Sequence, residues 1–189
     1  MIKIKSLNTN LKGNIVSANQ AVAGRQIENM MKEQGFPMQN GAGPDLIINN
    51  DTAVEVKSRD LNATSPHSVG GMLLDDIKKT IWEDSLPCSK CQQQLRVKHR
   101  DGIITEETMY DLSGEHCQSK LKGAYEAARQ KIIAGDTGDY ISGTEWGYFE
   151  RTNKDSNTWV FRISHNQMKK LEGLAKSTIN DPKLFEFIL

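Results

Sequence analysis

The chain has 189 residues, 37% of them hydrophobic and 25% charged, values that suit one soluble globular domain and create no need for a second. Lys+Arg and Asp+Glu both number 24, so the zero net charge argues against an indiscriminate nucleic-acid coat protein and leaves only local basic surfaces. No run approaches the roughly 18 apolar residues of a membrane span, and MIKIKSLNTN lacks an apolar signal core, so no membrane partner and a cytoplasmic setting are expected.

The first predicted element is a helix from about Ser17 to Gln34. Ser17 with Gln20 reads as a capping box, Gly35 as the stop, and Val22, Ala23, Ile27, Met30 and Met31 as one apolar stripe. Two strands follow, Pro44 to Asn49 and Thr52 to Ser58, joined by the turn cluster Asn49-Asn50-Asp51. A Ser/Pro/Gly-rich loop over 60–71 leads to a helix from Met72 to Asp84. Residues 92 to 113 read as a β-hairpin turning at Asp101-Gly102. A helix over about 117–134 stops at Gly135, and strands at Glu145–Arg151 and Thr158–Ile163 flank a polar loop. Ser164 with Gln167 caps a further helix, and Asp181-Pro182 opens a short last one, LFEFIL. The sum is a mixed α/β domain with a mostly antiparallel sheet and helices against it.

The informative stretch is GPDLIINNDTAVEVKSR. A three-residue turn at 49–51 pairs Ile48 with Thr52 and carries Asp45 opposite Glu55, with Cβ atoms about 5 Å apart on one face. Period two adds Lys57 and Arg59 to that face and turns Val54 and Val56 into the core. Two carboxylates this close repel unless something positive lies between them, and a divalent cation with hard oxygen ligands answers that. Lys57 then supplies a charge to position a water or stabilise a phosphorane oxygen. The competing reading is a solvated Glu55–Lys57 pair on an edge strand. The apolar Leu46-Ile47-Ile48 and the flanking valines speak against it, since they mark buried strands.

Pro44-Asp45, nine intervening residues, then Glu55-Val56-Lys57 resembles the signature of the PD-(D/E)XK nucleases, the restriction-endonuclease-like superfamily. The order helix, motif hairpin, helix, strand is similar to that family's core, here residues 17 to 59 and 117 to 163. The resemblance implies that Asp45 and Glu55 bind Mg²⁺ (or Mn²⁺ in its place), that the Val56 carbonyl completes the coordination, and that Lys57 orients or deprotonates the attacking water. It also points to Glu28 on the first helix as a further catalytic carboxylate, with Glu33 a weaker rival and a solvated helix residue the competing reading. Gln118, Lys120 and Lys122 are available near a phosphate on the later helix.

Residues 60 to 116 read as an insertion within the single nuclease domain. Cys88, Cys91, His116 and Cys117 bracket its hairpin, and a tetrahedral structural Zn²⁺ on these four would staple the base; His99 is the rival fourth ligand. Three reduced cysteines are the alternative. Arg96, Lys98 and Arg100 form one basic face, and Lys120, Lys122, Arg129 and Lys131 another; a two-stranded ribbon fits the major groove. His67 reads as an exposed loop histidine. Together these features lead to a Mg²⁺-dependent endonuclease acting on double-stranded DNA, type II restriction-like, sequence-specific and homodimeric. A structure-selective nuclease (Holliday junction resolvase or repair enzyme) is the nearest alternative. A catalytically inactive, zinc-stabilised DNA-binding module is the alternative of another class.

Overall fold

The structure is a computed structural model that describes residues 3–4, 9–40, 44–48, 52–85, 93–112, 114–153, 157–174, 176–177 and 187–188. In chain order its elements begin with β1 (Lys3–Ile4), α1 (Gln20–Glu33), β2 (Leu46–Ile48), β3 (Thr52–Asp60), β4 (His67–Leu73) and α2 (Leu74–Lys79). After a 3₁₀ turn at Trp82–Asp84 come β5 (Gln93–Arg100), β6 (Ile103–Asp111), α3 (Glu115–Ile133), β7 (Tyr140–Thr144), β8 (Gly147–Asn153) and β9 (Thr158–Ile163). The chain closes with α4 (His165–Leu174), β10 (Lys176–Ser177) and β11 (Phe187–Ile188). It is a mixed α/β protein whose contacts fall into two compact units, 1–64 with 91–112 and 175–189, and 65–90 with 113–174. No helix among the described residues is long and apolar enough to cross a membrane.

The first unit is built on a sheet of order β10-β6-β5-β3-β2, in which only β3 and β5 run parallel. Helix α1 buries Ala23, Ile27 and Met31 with Leu46, Val54 and Leu95, the stripe the periodicity predicts. Fully burying each such aliphatic side chain contributes roughly 1.5–3 kcal/mol. The helix starts later than expected. Asn19 Oδ1 accepts from the backbone N–H groups of Ala21 at 3.1 Å and Val22 at 3.3 Å, so Asn19 is the cap. Ser17 is held outside the helix, its N–H donating to Gln26 Oε1 at 2.7 Å.

The motif hairpin has the predicted register, Ile48 opposite Thr52 and Leu46 opposite Val54. The second hairpin also forms, with Asp101 at φ 51° and Gly102 at φ 77°, the two left-handed residues a type I′ turn needs. Gly102 is required twice over, because a Cβ there would lie 2.8 Å from the Val16 carbonyl. That carbonyl belongs to the segment before α1, which latches to the turn through Val16 N–H donating to Gly102 O at 2.7 Å.

The hairpin is not the solvent-facing ribbon its alternation suggested. β5 lies between β3 and β6, with Leu95 and Val97 buried on one face and Gln94 and Arg96 buried on the other. Polar alternation reads as exposure only when the polar face is wet, and here it is not. Residues 60–116 therefore supply the parallel neighbour of β3, while 117–163, grouped with the motif from sequence, lie in the second unit.

The second unit carries an antiparallel sheet of order β4-β9-β8-β7. Tyr125 of α3 meets Trp82, Phe149 and Phe161 edge-on with centroids 5.4, 5.4 and 5.7 Å away. Helix α3 lies so close to β7 that a Cβ at Gly143 would stand 1.8 Å from the Ala124 carbonyl. Strand β4 was expected as loop and helix: its Ser and Gly content hides a strand that exists by pairing with β9. β7 was also missed. Of the expected C-terminal helix, Phe187–Ile188 instead pairs with Lys3–Ile4, and 181–186 lie outside the described residues.

Candidate active site

The site is assembled where β2 begins. Asp45 stands just before β2, and continuing the ladder register brings it opposite Glu55. Its Oδ2 accepts the backbone N–H of Val56 at 2.7 Å, taking the place of the ladder bond β2 is too short to give. The N–H and C=O of one strand residue leave towards the same neighbour. The Val56 carbonyl therefore faces the same gap beside Asp45.

Glu55 and Lys57 leave the opposite face of β3 from Val54 and Val56, as period two requires. Glu55 is 7% exposed, and its carboxylate contacts the Lys57 ammonium, which is more open. Arg59 continues the row; it is buried, with Nη2 donating to the Ala63 carbonyl at 2.8 Å.

Burial raises the Asp45 pKa above its ordinary value, and the Glu55 charge raises it further; the Val56 N–H and Lys57 oppose. Glu28 is half-buried on α1, and its pKa is raised by burial first and then by Asp45, with Glu55 adding and Lys57 and Arg25 opposing. Glu28 thus shares one electrostatic neighbourhood with Asp45, Glu55 and Lys57, whereas Glu33 is exposed. Asp45, Glu55 and Lys57 meet at the end of the hairpin, and their charges act on Glu28. Among the described residues no three His, Cys, Asp or Glu side chains form a ready cation cage. Asp45 is turned onto the Val56 N–H and Glu55 onto Lys57.

The other predicted residues fare differently. Cys88 and Cys91 lie outside the described residues. His116 is exposed and Cys117 buried, as successive helical positions about 100° apart tend to be. His99, the rival ligand, is wholly buried, and neither ring nitrogen has a hydrogen-bond partner among the described residues. His67 is buried on β4, its ring stacked on His165 with centroids 5.6 Å apart.

Neither expected basic face is an open row of cations. Arg96 is buried over the Tyr110 ring, and Lys98 pairs with Glu106 at 3.0 Å; Arg100 is exposed. In the second unit Lys122 pairs with Glu83, and Arg129 donates to the Ile77 and Lys78 carbonyls and to Glu126. Lys131 donates to the Ser142 carbonyl, and Lys120 lies 4.2 Å from the Trp146 ring centroid. Gln94 and Arg96 were missed as neighbours of the site. Their signal was available: an acceptor followed two residues later by a cation, the spacing of Glu55 and Lys57.

No protein-family model matches the chain, and no curated protein matches it in sequence.

Proposed function

We propose that the chain is a Mg²⁺-dependent endonuclease that hydrolyses phosphodiester bonds in double-stranded DNA, on a restriction-endonuclease-like core. The observation that carries this reading is the convergence of Asp45, Glu55 and Glu28 with Lys57 at the open end of the motif hairpin. Two carboxylates on facing positions of a hairpin repel one another unless a positive charge lies between them. Burial first, and then the neighbouring carboxylate charge, raises the Asp45 and Glu28 pKa values. Hard oxygen donors that repel one another fit a hard divalent cation.

In this reading Asp45, Glu55 and the Val56 carbonyl hold Mg²⁺ or Mn²⁺, and Glu28 orients a water in the same shell. The bound cation supplies Lewis-acid stabilisation of the phosphoryl oxygens. Lys57 orients the attacking water and neutralises charge that grows on the phosphorus oxygens in the transition state. Cutting both strands of a palindrome needs two such sites related by a two-fold axis, so the working form is a homodimer.

Incubation of the purified protein with supercoiled plasmid, with Mg²⁺ or with EDTA, tests the proposal. Discrete linear fragments in Mg²⁺ alone are expected. Nicking or junction cutting would assign the structure-selective alternative, and DNA binding without cleavage would leave only a binding module.

A further inference from the structure

The pair Glu55–Lys57 has a counterpart on the adjacent strand. In the parallel ladder Glu55 stands opposite Gln94 and Lys57 opposite Arg96. The four side chains leave one face of the sheet in two rows, with strands ~4.8 Å apart. Along each strand the cation reaches back two residues: Lys57 to the Glu55 carboxylate, and Arg96 Nη2 to Gln94 Oε1 at 2.9 Å. Gln94 and Arg96 are each 3% exposed. Arg96 also lies 5.6 Å from the centroid of Tyr110, the residue paired with Gln94 on β6. Taking a guanidinium out of water costs several kcal/mol before its partners repay it. The core of this unit gives no reason for that cost, since Leu95 and Val97 supply the apolar face of β5.

We infer that Gln94 and Arg96 are positioning residues for the carboxylate and the ammonium of the proposed metal site; the inference rests on that reading of Asp45, Glu55 and Lys57. A guanidinium only donates, so Arg96 can bind the Gln94 amide solely through its oxygen. This decides which end of the amide is the donor. The –NH₂ end is left for the Glu55 row, where it holds the carboxylate in one rotamer. The fixed Arg96 charge, directly across from Lys57, keeps the ammonium on its own strand beside Glu55. Outer partners of this kind orient metal ligands, and their loss typically costs 10–100-fold in metal affinity.

The test is Mn²⁺ binding, followed by electron paramagnetic resonance on the full chain without DNA. Wild type should bind Mn²⁺, and Asp45→Asn should abolish that binding. The double variant Gln94→Leu/Arg96→Met removes both partners of the buried Gln94–Arg96 bond, which costs less than orphaning either one. It should fold with Mn²⁺ affinity reduced about 10–100-fold. Gln94→Glu keeps an acceptor for Arg96 and folds on the same contact, but lacks the –NH₂ donor. It should bind Mn²⁺ about tenfold more weakly or worse. Arg96→Lys, which keeps the charge and a donor, should recover most of the affinity. Folded double and Gln94→Glu variants with wild-type Mn²⁺ affinity would overturn the positioning role while leaving the metal site standing. A wild type with no Asp45-dependent Mn²⁺ binding would overturn both.

Discussion

Asp45 Oδ2 accepts the backbone N–H of Val56 at 2.7 Å, so the side chain ahead of β2 serves β3 as one more rung of the ladder. That single bond settles where the carboxylate lies. It holds Asp45 against the end of the hairpin, opposite Glu55 and beside the Val56 carbonyl, while leaving its second oxygen for another partner.

Asp45→Asn and Glu55→Gln should each reduce Mg²⁺-dependent plasmid cleavage by about a thousandfold or more, in line with the loss of a group acting on transition-state charge. Far-ultraviolet circular dichroism should match wild type, because the asparagine oxygen can still accept the Val56 N–H. Cleavage within tenfold of wild type by either variant would remove these residues from the proposed mechanism.

The raised Asp45 and Glu28 pKa values translate into a stability profile. A carboxyl that titrates higher when folded makes the folded chain hold more protons than the unfolded one, so stability falls as pH rises through that window. The window opens at the ordinary values of 3.8 and 4.5 and extends upward to the raised folded values. In EDTA at neutral pH, Asp45→Asn and Glu28→Gln should therefore melt higher than wild type, by roughly 2–4 °C for each ~1 kcal/mol of relief. The advantage should vanish in acid. Thermal melts across pH check this, and variants that melt lower at neutral pH would show that neither burial nor neighbouring charge disfavours these carboxylates in the folded chain.

Much of this site was legible in the sequence. The Asn-Asn-Asp composition at 49–51 and the apolar run Leu46-Ile47-Ile48 predict a register with Ile48 opposite Thr52, the one observed, and continuing it sets Asp45 across from Glu55. Glu28 could not be separated from a solvated helix glutamate, because helical spacing does not say which turn lies over the hairpin end. The β5 environment was hidden for a different reason. Gln94 and Arg96 alternate with Leu95 and Val97 as they would on an exposed ribbon, and only tertiary packing buries both faces. Strand β4 was illegible because Ser68, Gly70 and Gly71 have low strand propensity and are extended by pairing with β9.

Lys57→Ala should lower kcat about 10²–10³-fold, with DNA affinity measured in Ca²⁺ essentially unchanged, since a charge acting on the transition state contributes little to ground-state binding. Lys57→Arg should not restore the rate, because a planar fork places its donors differently from a compact ammonium. A fully active arginine variant would reduce Lys57 to a simple positive charge.

Leu46→Ala tests the connection between packing and site. Leu46 is fully buried in the core of the first unit, so the cavity should cost about 2–5 kcal/mol. Because β2 carries Asp45 to the site, Mn²⁺ affinity should fall along with stability. A comparably destabilising change in the second unit, such as Phe149→Ala, should leave Mn²⁺ binding intact while the protein stays folded. Equal loss of Mn²⁺ binding in the two variants would contradict a site set by the hairpin.

The most direct measurement is anomalous diffraction from crystals of the protein soaked in Mn²⁺. One peak is expected within coordinating distance, roughly 2.0–2.3 Å, of carboxylate oxygens from both Asp45 and Glu55, with the Val56 carbonyl in the same shell. A saturated crystal with no peak there, or with Mn²⁺ held only by other residues, would contradict it.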